Sequence, residues 1–428
     1  MGLAMFVTLL LLLALGVPIA ICIGFSAIVG ILSGPLPISP IVVGQRMFTA
    51  IDSFPFMAIP FFMLAGGIME HGGISKRLIR LASSLVGSFR GSLGLITVVA
   101  SAFFGSISGS NPATVAAIGG IMVPSMIKDG YKPPFAAATA AAAGTLGVII
   151  PPSIPMITYG VVAGVSIGDL FICGIIPGLI LAFVLCICTS QMAKSLNIPT
   201  SGVFRLNELL AALYGAILAV FMPIIILGGI YSGVFTPTEA GAVATLYSLL
   251  VSLFIYKEMD MKTMKKIIIN AGVSTAIVFF VIACSQSFAW LLNVGKVSEA
   301  IVNGMLAITT TPFVLILLMN ACLLFLGVFL ETQAIILLVT PILLPIAAQI
   351  GMDPLALGII IVVNTSIGMI TPPMAVNLFV AQGLVREYGT TLEQITKYIL
   401  PYFIVELVIV LLLSFFPVIA LGLASIVR

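Results

Sequence analysis

Two stretches of this sequence bring neutral oxygen carriers and helix-breaking residues close together. In the first stand Ser106, Ser108, Gly109, Ser110, Asn111 and Thr114, followed by Thr145, Gly147, Pro151 and Pro152. In the second stand Gly327, Glu331 and Thr332, followed by Asn364, Thr365, Ser366, Gly368, Thr371, Pro372 and Asn377. Hydroxyls, carboxamides and main-chain carbonyls are hard ligands, suited to an alkali cation that has shed its water. Proline removes a backbone donor and frees a carbonyl one turn upstream, which adds main-chain oxygens to each set. Glu331 is the only ionisable residue among these candidates. They therefore offer no relay of several carboxylates or histidines, and sodium is the coupling ion they favour. Taken singly, each feature also reads as plain structure: the Ser-Gly-Ser-Asn-Pro run as a tight turn, a Pro-Pro pair as a kink, Glu331 as a hairpin cap. Their recurrence at corresponding places in two halves of the chain is what favours a binding role.

The elements that must position these residues are set by composition. Of 428 residues only 7% are charged and 61% are hydrophobic, against about a quarter and about half in a soluble domain. So few charges cannot clothe a water-facing surface, and most of the exterior must face lipid. A net charge of +3 provides no concentrated basic surface, so nucleic acid is not a partner. The apolar content excludes disorder. The apolar runs are long and continuous rather than short and alternating, which argues against a β-barrel. The reading is an all-α polytopic membrane protein. The first run lacks the basic start of a cleaved leader and is too long for one, so it is kept as a span. The six cysteines sit in apolar stretches without a C-x-x-C pair and read as small buried hydrophobes. His71 is the only histidine and has no partners for a metal site.

Basic residues cluster at 76–90 (Lys76, Arg77, Arg80, Arg90), at Lys128 and Lys132, at Lys194 and Arg205, at 257–266, and at Arg386 and Lys397. By the positive-inside rule these loops are cytoplasmic. The first two clusters flank one apolar segment, 91–127, that a single crossing would place on opposite sides. A re-entrant helical hairpin turning at 106–112 resolves the conflict. A second hairpin, 313–349, lies between loops poor in basic residues and enters from the outside. Full spans are expected at 3–32, 50–70, 135–163, 171–192, 211–231, 239–256, 267–293, 355–384 and 399–424. Glu239 and Glu406, in or near spans, are expected to pack against protein or an interface, since an isolated charge in lipid is costly.

The segments around Pro151-Pro152 and Pro372-Pro373 resemble one another at an offset of 221 residues. The same offset aligns Pro124 with Pro345, Gly130 with Gly351, Pro133 with Pro354 and Ser110 with Glu331. Each half then holds a hairpin (91–127; 313–349) and a broken helix (135–163; 355–384). The expected organisation is a first repeat at 1–205, a connecting span at 206–235 and a second repeat at 236–428, turned upside down by that span. Inverted repeats with broken helices are an architecture of secondary transporters, with the site near the bilayer midplane.

With these motifs in hand, the chain resembles the large membrane subunit of tripartite ATP-independent periplasmic (TRAP) transporters. The resemblance is carried by Leu15-Gly16-Val17-Pro18-Ile19-Ala20, Ala58-Ile59-Pro60-Phe61-Phe62, Ser108-Gly109-Ser110-Asn111-Pro112-Ala113-Thr114 and Ile150-Pro151-Pro152-Ser153-Ile154. It continues through Gly228-Gly229-Ile230-Tyr231-Ser232-Gly233, Phe235-Thr236-Pro237-Thr238-Glu239 and Ile370-Thr371-Pro372-Pro373. It implies a sodium-coupled importer of organic acid anions, such as C4-dicarboxylates or sialic acids, in the bacterial inner membrane. It also implies an elevator movement, a periplasmic substrate-binding protein and a small four-helix membrane subunit supplied as a separate polypeptide. By the same resemblance, sodium would be held by Ser106, Ser108, Ser110, Gly327, Asn364 and Thr371. A membrane enzyme is disfavoured, because the chain has no H-E-x-x-H motif and no cluster of catalytic acid–base residues. A channel or a passive scaffold subunit remains the alternative.

Overall fold

The computed structural model describes residues 1–34, 37–198, 205–372 and 375–427; Pro373, of the second Pro-Pro pair, lies outside the described residues. Among the described residues every regular element is helical. Eight helices are long and apolar enough to cross a membrane, or nine with the pair Pro133–Ile149 and Ile154–Ala163, which meet at a 40° bend.

The first apolar run, expected as one span over 3–32, is two helices, α1 (Gly2–Ala14) and α2 (Ile19–Ser33). Gly16 takes a left-handed turn at φ +75°, and Pro18 cannot continue a helix. The chain folds back so that a side chain at Gly30 would meet Met5, and one at Gly34 would meet Met1. Next come α3 (Ile41–Ile51) and α4 (Ala58–His71). The segment 76–90, expected as an inter-span loop, is largely the helix α5 (Ile74–Val86). Its Ile74, Leu78, Leu81 and Ala82 are buried, at the spacing of one helical face, which leaves Lys76 and Arg80 exposed. Arg77 donates to Glu258 at 2.7 Å and Lys76 at 3.1 Å. The Arg77 hydrogen bond, followed by that of Lys76, holds the Glu258 carboxyl below its usual range.

The first hairpin is α6 (Ser92–Ser108), α7 (Asn111–Thr114), a wide turn at Val115–Gly119 and α8 (Gly120–Lys128). The first broken helix is α9 (Pro133–Gly144), α10 (Leu146–Ile149) and α11 (Ile154–Ala163). Then follow α12 (Ile167–Ser195), α13 (Leu206–Tyr231), α14 (Pro237–Leu250), α15 (Met261–Val294) and α16 (Val297–Ile308). The second hairpin is α17 (Pro312–Phe329) and α18 (Thr332–Gln349), and the second broken helix is α19 (Pro354–Gly368) and α20 (Val376–Leu384). The run expected as one span over 399–424 divides at Pro417 into α21 (Leu392–Phe415) and α22 (Val418–Val427). Helices α3 and α16 were not expected. With 11 and 12 residues, they fall short of the roughly 20 that a crossing requires.

The offset of 221 residues reappears in the helix boundaries. It relates the ends of α6 and α17, the starts of α7 and α18, the ends of α8 and α18, the starts of α9 and α19, and the ends of α11 and α20. Gly130 and Gly351, equivalent by this offset, both turn at positive φ, +87° and +70°. Pro133 and Pro354 each open a helix at its first position, where the missing N–H costs nothing.

Packing follows residue size. Helix α9 is rich in alanine, and Phe135 through Gly144 are buried. It therefore lets α6, α20 and α21 approach closely. One group of helices is built from α1–α5 with α13–α15, where α4 runs along α14 and α15 along α2 and α3. The hairpins, broken helices, α12, α21 and α22 form the other group, and α15 meets it at α18. On α13, Leu210, Leu213, Tyr214, Ile217, Phe221 and Ile224 are exposed, as expected of a lipid-facing stripe. Glu239 is exposed and closes a capping box with Thr236 at the start of α14.

Candidate functional site

Each hairpin stops short at its tip, and the two tips meet. At the first, Gly109 turns left-handed at φ +59° and Ser110 is extended, so α7 begins anew at Asn111. The Ser108 and Thr114 hydroxyls lie 2.9 Å apart, and Thr114 donates to the Ser110 carbonyl at 2.8 Å. At the second tip the chain is extended through Leu330 and Glu331. Both tips line a cavity of about 50 Å³, through Gly109, Ser110, Asn111 and Pro112 on one side and Glu331, Thr332 and Gln333 on the other. Met63 of α4 and Val278 of α15 close it from the opposite helix group. A drug-sized ligand takes about 300 Å³ or more, so this space is of ionic rather than organic scale.

Behind the tips a chain of hydrogen bonds crosses between the halves. Asn111 Nδ2 donates to Ser366 Oγ at 2.7 Å. Ser366 Oγ donates to the Thr145 carbonyl at 2.9 Å, and Thr145 Oγ1 donates to Glu406 at 2.9 Å. Thr145 and Ser366 are themselves equivalents under the 221-residue offset, so this bond joins the two repeats at matching positions. Asn377 Nδ2 reaches Ala141 of the first half at 3.3 Å. In the second half Asn364 Nδ2 donates to Asn320 Oδ1 at 2.9 Å, and Asn320 Nδ2 donates to Ser414 at 3.0 Å. The Oδ1 atoms of Asn111, Asn364 and Asn377 are buried and accept no hydrogen bond from the described residues. Buried amide oxygens are normally satisfied, and an amide oxygen is a hard ligand of the kind an alkali cation takes; of the three, Asn111 lines the tip cavity.

Glycine lets the hairpins reach the helix breaks. A side chain at Gly105 would lie 2.9 Å from the Leu146 carbonyl and 3.0 Å from Gly147, and one at Gly147 would lie 2.5 Å from the Ser110 carbonyl. In the second half Gly327 and Gly368 make the corresponding contact, backbone against backbone.

Not every candidate residue joins this cluster through its side chain. Ser106 donates to its own helix at Phe103, Thr365 to Ile361 and Thr371 to Ile367. Pro372 is exposed, and Pro151 and Pro152 are buried at the break between α10 and α11. Thr332 donates to the Met369 sulfur at 3.5 Å.

One expectation is corrected: Glu331 is not the only ionisable residue of the region. Glu406 is fully buried, bonded by Thr145 through one oxygen and without a hydrogen bond from the described residues at the other. A glutamate inside an apolar run is itself a functional signal in a membrane span, and an expectation of packing alone leaves that signal unused. Asn320 and Ser414 carried no comparable mark. An unpaired carboxylate at a dry site costs several kcal/mol. Glu406→Gln is therefore expected to preserve folding and uptake, whereas Glu406→Ala lowers thermal stability by about 2–5 kcal/mol by leaving a void in the packed interior, the Thr145 hydroxyl keeping its bond to the Ala142 carbonyl. Unfolding of the two variants in detergent measures this directly. Equal loss in both would remove the acceptor role assigned to Glu406.

Apolar spans in two helix groups, with paired hairpins and paired breaks meeting around an ion-sized cavity, define an all-α, multi-pass membrane transport protein. The backbone is similar to that of the YdaH transporter of Alcanivorax borkumensis, with a TM-score of 0.62 at 14% identity over 97% of this chain and 98% of that one. It is also similar to MtrF of Neisseria gonorrhoeae, with a TM-score of 0.59 at 14% identity over 93% of each. Those likenesses concern the fold. Residues 6–419 match the family described as Tripartite ATP-independent periplasmic transporter, DctM component, and the chain belongs to that family, as its large membrane subunit. It is 42% identical to the isethionate TRAP transporter permease protein DctMQ of Oleidesulfovibrio alaskensis over 97% of this chain, which spans 65% of that relative's length. It is 40% identical to the C4-dicarboxylate TRAP transporter large permease protein of Pseudomonas aeruginosa over 89% of this chain and 88% of the relative. With the sialic acid TRAP transporter large permease protein of Vibrio cholerae the identity is 36% over 87% of each. The family consists of transport permeases and not of enzymes.

Proposed function

We propose that this chain is the transporting subunit of a sodium-coupled importer of organic acid anions in the bacterial inner membrane. The observation that carries the reading is the meeting of the two interrupted hairpin tips at an ion-sized cavity, lined by Ser110, Asn111 and Thr332, where the buried Asn111 Oδ1 accepts no hydrogen bond from the described residues. Asn111, Asn364 and Asn377, with carbonyls freed at the tips and breaks, would hold sodium. The ion supplies the positive charge that the tip cavity lacks, and so lets an anion approach the half-helix N-termini. Glu331 stands at the cavity edge, where its negative charge favours the cation and disfavours an anion that arrives without one.

The substrate class follows the relatives, whose names cover isethionate, C4-dicarboxylates and sialic acid. All are small organic anions. Organisation as repeats 1–205 and 236–428, inverted by the span within 206–235, fits an elevator in which the hairpins and broken helices move against α1–α5 and α13–α15. A periplasmic binding protein delivers the substrate, and a small four-helix subunit, together with lipid, completes the stationary part.

Uptake into proteoliposomes that hold the two membrane subunits tests the reading. Flux is expected only with an inward sodium gradient and only with the loaded binding protein present. Uptake that follows a proton gradient and ignores sodium removes the coupling assignment. Uptake without the binding protein removes the tripartite one.

A further inference from the structure

A second cavity, of about 420 Å³, lies between the two helix groups. Arg46 and Thr49 of α3 and Gln286, Trp290 and Asn293 of α15 form one wall, and Pro341 of α18 stands opposite. Helices α15 and α18 connect it to the tip cavity. Val278 faces the tips and Trp290 this cavity, about 18 Å further along α15 at 1.5 Å per residue. Helix α15 begins at Lys262, Lys265 and Lys266, which places its far end, and with it this cavity, toward the outside.

The lining holds one charge, that of Arg46, and no acid. The Arg46 guanidinium lies 4.8 Å from the centre of the Trp290 ring and makes no ion pair among the described residues. Resting on the ring fixes the guanidinium while leaving its N–H donors free. Asn293 Oδ1 already accepts from Ser298 at 3.1 Å, so its amide N–H groups are the part left to donate. A cavity of organic scale, with a positioned guanidinium and neutral donors, is built for a carboxylate or sulfonate.

We propose that this cavity is an outer anion site, in which Arg46 takes the charged head of the substrate before it reaches the tips. The inference rests on the anion-importer reading and adds a residue and a station to it. Snorkelling of Arg46 toward the interface is the plainer reading and predicts no ligand response here.

Trp290 is the only tryptophan of the chain and reports on the cavity directly. The purified complex with the small subunit is titrated with succinate, isethionate and N-acetylneuraminate, with glycerol as the uncharged control and without sodium. A saturable fluorescence change is expected with at least one anion. It is absent with glycerol and absent in Trp290→Phe. In Arg46→Gln the apparent affinity falls about 10- to 100-fold, the scale of a charge-assisted hydrogen bond, and Arg46→Lys restores part of it, as a point charge without the fork. In proteoliposomes Arg46→Gln raises KM by a similar factor and leaves kcat largely intact.

Asn364→Ala, on α19 and outside the lining of this cavity, keeps the fluorescence response. If uptake fails in every arrangement while the Arg46-dependent response persists, only the importer reading falls. No response to any anion in the wild-type complex, or an equal response in well-folded Arg46→Gln, overturns the outer site.

Discussion

Alanine at Gly368 is expected to abolish uptake and to lower the unfolding temperature, while alanine at Gly383 leaves both unchanged or slightly improves stability. A side chain at Gly368 would fall 2.5 to 2.7 Å from the Cα, carbonyl carbon and oxygen of Gly327. Every one of these is a backbone atom, so no rotamer relieves the clash. One of the two helices must move, at the cost of about 1–3 kcal/mol typical of an overpacked core. That movement carries α17 away from the break after α19, where the candidate oxygens gather. Gly383 is the control, because the same change on α20 meets nothing within 4 Å. An exposed helical glycine gains about 0.5–1 kcal/mol on becoming alanine. Thermal unfolding of both variants separates the two cases, and a Gly368→Ala protein with wild-type stability would mean that the hairpin does not seat against the break.

The second large effect is expected at Asn364. Its side chain bonds Asn320 through nitrogen and presents an unsatisfied buried oxygen. Asn364→Ala removes both, leaving Asn320 with fewer partners at a cost of about 1–3 kcal/mol for an unpaired buried group. If the oxygen binds the coupling ion, the sodium concentration for half-maximal uptake rises about 10-fold or more, on the scale of one interaction with a charged group. Asn364→Asp keeps the shape and adds a charge, so it separates the packing role from the ligand role. An unchanged sodium dependence in a folded Asn364→Ala protein would take this amide out of the ion site.

The sequence was most readable where backbone geometry constrains the residue type. Pro133, Pro354, Gly130 and Gly351 mark helix starts and left-handed turns that only a few residues satisfy, and the 221-residue spacing they carry is the spacing of the folded elements. The tips were legible for the same reason. Helices that do not cross a membrane were not. Helices α3 and α16 are too short for an apolar-run criterion, α5 was concealed by its basic face, and α1 and α2 were joined because their hinge is only a few residues long. Hydroxyl groups were legible as candidates but not in direction. Ser106, Thr365 and Thr371 turn back on their own helices, as Ser and Thr commonly do, whereas Asn111 and Asn364 reach other elements. Glu406 was visible as a glutamate in an apolar run, but its partner Thr145, 261 positions away, needed the tertiary structure.

The hydrogen bond between Thr145 and Ser366, with Asn111 reaching across to Ser366, has a consequence for how this architecture can be taken apart. Two halves that met only through apolar faces would be interchangeable modules, able to fold singly or to pair with copies of themselves. Here each half completes the other's polar interior. A fragment ending before α13 would leave the Asn111 amide without its acceptor and the Thr145 carbonyl without its donor, at the depth where water is scarce. The duplication is therefore no longer reversible, and the present chain is indivisible in a way that its repeating pattern of helix boundaries does not suggest.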